Sequence, residues 1–88
     1  MPVSAQQIHD ALQRRFEPLR LEVVDDSHRH AGHAGAREGR HFTVRLTAAA
    51  FAGHARVARH RLVYDALRDL MPAGIHALAI EARAPDEG

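Results

Sequence analysis

The sequence predicts a two-layer α+β sandwich of α-β-β-α-α-β order, and three observations carry that prediction. A capping-box spacing opens a stretch of helical apolar periodicity over residues 5–16. Residues 41–47 alternate strictly between apolar and polar, the signature of a strand with one buried face. A second helical pattern over residues 55–71 runs into a third strand pattern, which permits the last two strands to pair in parallel.

In chain order, Ser4 and Gln7 stand at the spacing at which each side chain satisfies the other's backbone N–H. Ile8, Ala11, Leu12 and Phe16 then recur at helical intervals, and Pro18 ends the helix. Leu21–Asp25 reads as a short strand centred on β-branched Val23 and Val24. Residues 26–40 lack apolar periodicity and contain three glycines, a loop long enough in so small a domain to suggest function. Phe42, Val44 and Leu46 occupy one face of the strand His41–Thr47.

Thr47 is expected to cap a short helical turn over Ala48–Phe51, which Gly53 breaks. Val63, Ala66, Leu67 and Leu70 form the apolar stripe of a helix from about Ala55 to Met71, closed by Pro72 and Gly74. Ile75–Glu81 is the third strand, on which His76 is expected to share a face with Leu78 and Ile80. The tail at 85–88 is expected to fray. Three strands cannot close a barrel, so the sheet must bury one face against the helices. Residues 1–88 read as one domain with a core at about 5–84, because a chain of this length supports a single modest core.

Composition narrows the function classes. Apolar residues make up 45% of the chain, which excludes a disordered segment. Twelve basic residues, all arginine, face eleven acidic ones for a net charge of +1, a small excess for a nucleic-acid binder. No apolar run approaches the length of a membrane span, and no basic start leads into an apolar stretch, so the cytoplasm is the expected compartment. The chain has no cysteine. It has neither a G-x-S-x-G elbow nor a phosphate-binding glycine loop, and Ser4 and Ser27 serve better as cap and turn residues. An enzyme is not expected.

Histidine is the exception to this plain composition. Eight occur, and His28, His30 and His33 fall within six positions of the long loop. One reading is a solvated polar loop; another is a metal site, since such spacing permits chelation of Zn²⁺ or Ni²⁺, although no fourth ligand is evident. His76 reads either as a ligand or as a strand-edge histidine bonded to a loop carbonyl. Arg59 and Arg61 flank His60 near the start of the longer helix. They read either as a basic surface for phosphates or an acidic partner, or as solvated arginines beside a His60 that packs inward, the structural role favoured for His60. His41 is expected to be structural, and His9 and His54 to lie at the surface.

Several of these segments together resemble the BolA family over roughly residues 5–84. They are Val24-Asp25-Asp26-Ser27, the loop ending in Gly32-His33, His41-Phe42, Phe51 with Gly53, Arg59-His60-Arg61-Leu62-Val63-Tyr64, and Ile75-His76-Ala77-Leu78. The resemblance implies a fold similar to class II K-homology domains, with a mixed three-stranded sheet. It implies an adaptor that binds a monothiol glutaredoxin and shares a [2Fe–2S] cluster with that partner and glutathione, holding no cofactor when alone. The ligands it implies are His76 and a loop histidine. The position three after Ser27 is His30, and His28 and His33 are alternatives. The family is also associated with transcriptional regulation, which implies duplex DNA as the rival partner. Here the stretch Phe51-Ala-Gly-His-Ala-Arg carries one glycine and no GxxG loop.

Chemistry agrees with a shared cluster. Iron–sulfur clusters take four cysteine thiolates, or two with two histidines. A chain without cysteine cannot hold such a cluster alone by that scheme, yet it can give imidazoles to one iron while a partner supplies thiolates.

Overall fold

A computed structural model describes residues 3–26 and 40–87. Ser4 starts α1 (Ala5–Phe16): its hydroxyl accepts from the Gln7 N–H, and the Gln7 side chain accepts from the Ser4 N–H. The helix closes on Glu17, whose left-handed backbone lets its N–H reach the Gln13 carbonyl one residue before Pro18.

Three strands follow the predicted positions: β1 (Arg20–Asp25), β2 (Arg40–Thr47) and β3 (Ile75–Arg83). They lie in spatial order β1-β2-β3, with β1 antiparallel and β3 parallel to the central β2. Phe42, Val44 and Leu46 are buried on one face of β2, as their alternation predicts. Helices cover that face alone: Ile8 and Leu12 of α1, Val63 of α2 (Arg56–Ala66) and Leu67 just beyond it complete the core. Phe51 is fully buried, with its ring centroid 5.0 Å from that of Phe16.

The opposite face of the sheet is polar at one end. Arg45 bridges Glu22 and Glu81 at 2.9 Å each, and Arg83 reaches Glu81 at 2.8 Å. Glu22, Arg45 and Glu81 are cross-strand partners, so opposite charges meet at that level of the sheet.

Four local expectations change. The turn after β2 is a 3₁₀ turn over Ala49–Phe51 that begins at Ala48 without a side-chain cap; Thr47 instead ends β2 as a buried strand residue. The long helix stops at Ala66. Residues 67–70 form turns and Met71–Gly74 a separate helical turn, α3. Leu67 tightens the end by offering its N–H to several carbonyls of the last turn, and Pro72, expected as a stop, stands in the first turn of α3, where its missing N–H costs nothing. The apolar stripe continued across this break because Leu67, Leu70 and Met71 pack on the same core from either side of it.

The tail is the fourth. Pro85–Glu87 is a 3₁₀ turn, and Ala84 is buried. Arg59 holds it: Nη1 and Nη2 donate to the two Glu87 carboxylate oxygens, Nε donates to the His54 carbonyl at 2.7 Å, and Nη1 also reaches the Ala82 carbonyl at 3.1 Å. Glu87 in turn accepts from the Ala84 N–H at 2.9 Å. One guanidinium thus ties the approach to α2, the end of β3 and the final turn.

Two outcomes test this arrangement. Leu12→Ala removes a fully buried side chain and is expected to cost about 2–5 kcal/mol; Leu19→Ala, at a position 72% exposed, is expected to stay within about 0.5 kcal/mol. Urea denaturation measures both. The Arg59 guanidinium, then the Ala84 N–H, hold the Glu87 carboxyl down to about 2 from an ordinary 4.5. The folded-state value is depressed, so this contribution is complete above about 4.5 and is lost as pH falls from there through about 2. Glu87→Gln should therefore lower the melting temperature near neutral pH, and the gap from the parent should close across that acid range.

Candidate functional site

The topology brings the start of β3 to the end of the sheet where β1 finishes and β2 begins. β1 and β2 are antiparallel, so the segment between Asp25 and Arg40 leaves and returns at the same end. β3 is parallel to β2, so its first residues lie at that end too.

The start of β3 is held from three directions. The Ile75 N–H donates to the Met71 carbonyl, and the Ile75 side chain is buried. Gly74 packs against the chain before α1 so closely that a Cβ there would come within 3.2 Å of the Val3 nitrogen. Arg40 then pairs with Ile75, and His41 with Ala77. His76 falls between these pairs as an extra residue in a register shift, a device by which sheets re-aim a side chain.

Ile75 is the buried position at this end of β3 and the next inward positions are Leu78 and Ile80, so the bulge breaks the alternation between 75 and 78. The backbone of His76 is described, and its side chain lies outside the described part of the structure. His28, His30 and His33 also lie outside the described residues.

Beside the bulge the sheet fixes the departure of the 26–40 segment. The Asp26 N–H donates to the His41 carbonyl at 2.7 Å, and the Asp26 carboxylate accepts from the Thr43 hydroxyl. Asp26, His41, Phe42, Thr43, Ala77, Leu78 and Ala79 line a shallow pocket of about 440 Å³. Among the described residues no group of three or more His, Cys, Asp or Glu side chains comes together to hold a metal ion. The Asp26–Thr43 contact escaped the sequence reading because it joins positions 17 apart that only the β1–β2 register brings together.

The basic pair does not join this site. Arg59 bonds to the Ala82 carbonyl near the far end of β3, six residues beyond His76 or about 20 Å along a strand. Its guanidinium is engaged within the chain and its side chain is 13% exposed. Arg61 is exposed and makes no ion pair or side-chain hydrogen bond among the described residues. His60 is half-buried, lining a groove with His54, Arg56 and Arg59, while His54 is exposed; His9, expected at the surface, is half-buried on α1.

Residues 12–87 match the family of BolA-like proteins. The chain belongs to that family. The fold supports the same assignment: the BolA domain of SufE1 from Arabidopsis thaliana superposes with a TM-score of 0.86 at 42% identity, covering 100% of this chain and 99% of that one. SufE-like protein 1 of the same plant, named chloroplastic/mitochondrial, is 44% identical over 86 residues. The match takes in 91% of this BolA-like chain and 23% of the plant protein, so the chain spans about a quarter of that relative's length. The DNA-binding transcriptional regulator BolA of Escherichia coli is 39% identical over 75 residues, covering 85% of this chain and 70% of the regulator. The two-helix layer and mixed three-stranded sheet are those of BolA structures. Among the described residues no helix is long and apolar enough to cross a membrane.

The Thr43 contact supplies a test of the site's frame. Thr43→Val keeps the shape and removes the hydroxyl, at an expected cost of about 1 kcal/mol. Amide exchange should quicken at Asp26, whose N–H closes the adjacent contact, while amides of α1 keep their protection.

Proposed function

We propose that this chain is a non-enzymatic adaptor that binds a monothiol glutaredoxin and co-ligates a [2Fe–2S] cluster, serving cluster delivery or iron and redox sensing in the cytoplasm. The observation that carries this reading is the convergence of His76, at a bulge opening β3, with both ends of the histidine-bearing segment. His30 is four residues from Asp26, at most about 14 Å of chain. Two strand spacings, about 10 Å, separate the lines of β1 and β3. An imidazole at position 30 is therefore within reach of one at position 76, and His28 and His33 are tethered at the same mouth.

The donor set fits half of a cluster site. The chain offers imidazoles and no thiolate, so two histidines here would serve one iron while the glutaredoxin cysteine and glutathione serve the other. Imidazole ligation raises the reduction potential relative to an all-thiolate cluster and requires the neutral ring, so acid should release the cluster.

A second reading, binding of duplex DNA, draws support from the Escherichia coli relative and from exposed Arg61. Its support is thinner, because Arg59 is spent within the chain.

The adaptor reading is tested by titrating a glutaredoxin's reconstituted cluster with this protein under visible absorption and circular dichroism. A changed spectrum is expected with the parent chain and not with His76→Ala, while the urea midpoint of His76→Ala stays close to the parent's. The same spectral change in both proteins would contradict ligation by His76.

A further inference from the structure

The solvent face of α2 carries features that neither the fold nor the cluster reading uses. Three large apolar side chains are exposed among the described residues: Leu19, Val57 at 62% and Tyr64 at 40%. A lone exposed apolar residue needs no explanation. Val57 and Tyr64 are different, because they stand seven residues apart on one helix and so lie on one line, about 10 Å apart along the axis.

Arg61 falls beside that line between them, and exposed Arg68 lies in the turn just past the end of α2. This line points away from the core, since Val63 and half-buried Leu62 and Ala66 lie on the other side of the helix. Arg61 has no acidic partner among the described residues, and Arg68 is 79% exposed with Asp65 only at 3.8 Å. Asp65, toward α1, is shared with Arg15 at 3.3 Å. Toward β3 the border is Arg56 and His60, which have no ion pair among the described residues. The result is a Val57-Arg61-Tyr64 stripe with Arg68 in the turn beyond it and a basic flank toward β3.

We propose that this face docks an acidic amphipathic helix of a partner protein, one presenting two apolar side chains two turns apart with carboxylates beside them. The spacing of Val57 and Tyr64 matches the i, i+7 anchors of such a helix, and Arg61 and Arg68 meet its carboxylates. Duplex DNA is the poorer occupant, because it would set Val57 and Tyr64 against phosphates. A membrane surface is poorer still, since it takes a broad apolar helix face and the broad face of α2 is already in the core. The inference stands on α2 alone and does not depend on cluster ligation.

The test uses the ¹⁵N-labelled full chain and two synthetic amphipathic peptides with the same pair of leucines seven apart, one flanked by glutamates and one by lysines. The glutamate peptide should shift amides of residues 57–68 and leave those of 41–43 unmoved; the lysine peptide should do neither. Val57→Gln combined with Tyr64→Gln, and separately Arg61→Glu, should weaken the glutamate peptide at least tenfold. Each variant should keep the parent's urea midpoint within error, since all three side chains are exposed. Amides of α2 that stay still with the glutamate peptide overturn the proposal. So does duplex DNA that shifts the same amides with a steep salt dependence and is indifferent to the Val57/Tyr64 double substitution.

Discussion

The parallel pairing of β2 with β3 is the constraint from which the rest of this molecule follows. β2 is the central strand and gives Phe42, Val44 and Leu46 to the core, so it fixes which face of the sheet the helices must cover. A strand parallel to it cannot be reached by a tight turn, so the chain must travel the length of the sheet before β3 begins. That crossover is α2 and α3, and it delivers His76 to the end where β2 starts. An antiparallel last strand would place His76 at the opposite end from the loop histidines. The candidate site is thus a consequence of strand direction more than of any local motif.

The same crossover creates the need for Arg59. β3 ends beside the start of α2, where His54, Ala82 and the final turn come together. The guanidinium supplies directed bonds to two backbone carbonyls and the Glu87 carboxylate there. A lysine offers a single point of charge and cannot reproduce the fork. This places the arginine next to His60 in a structural role, while the neighbouring Arg61 faces solvent. Two residues that look equivalent in a short basic run therefore do different work two positions apart.

Local periodicity was readable where one segment decides its own structure. The bounds of α1 came from a reciprocal cap and a proline, and the inward face of β2 from alternation alone. What the sequence concealed depends on distant partners. The stripe Val63-Ala66-Leu67-Leu70 is the same whether one helix carries it or a helix and a turn do, because both bury those side chains. Glu87 accepts from Arg59, 28 positions away, so a tail read in isolation looks free. The extra residue in the β2–β3 register at His76 is invisible to alternation, because register is set by the neighbouring strand. The candidate site was legible as a set of histidines and illegible as a geometry.

The bulge at His76 also lets the chain carry an extra residue on β3 without disturbing its core. In an unbroken strand, Ile75 and the Leu78–Ile80–Ala82 set would fall on opposite faces, and burying both would be impossible. The extra residue lets Ile75 and Leu78 both serve the core and leaves His76 between them, outside the paired register. Its backbone is still held, because Ile75 is anchored to Met71 and Gly74 lies against Val3. The start of β3 is therefore irregular in register and yet fixed in place by the backbone on either side.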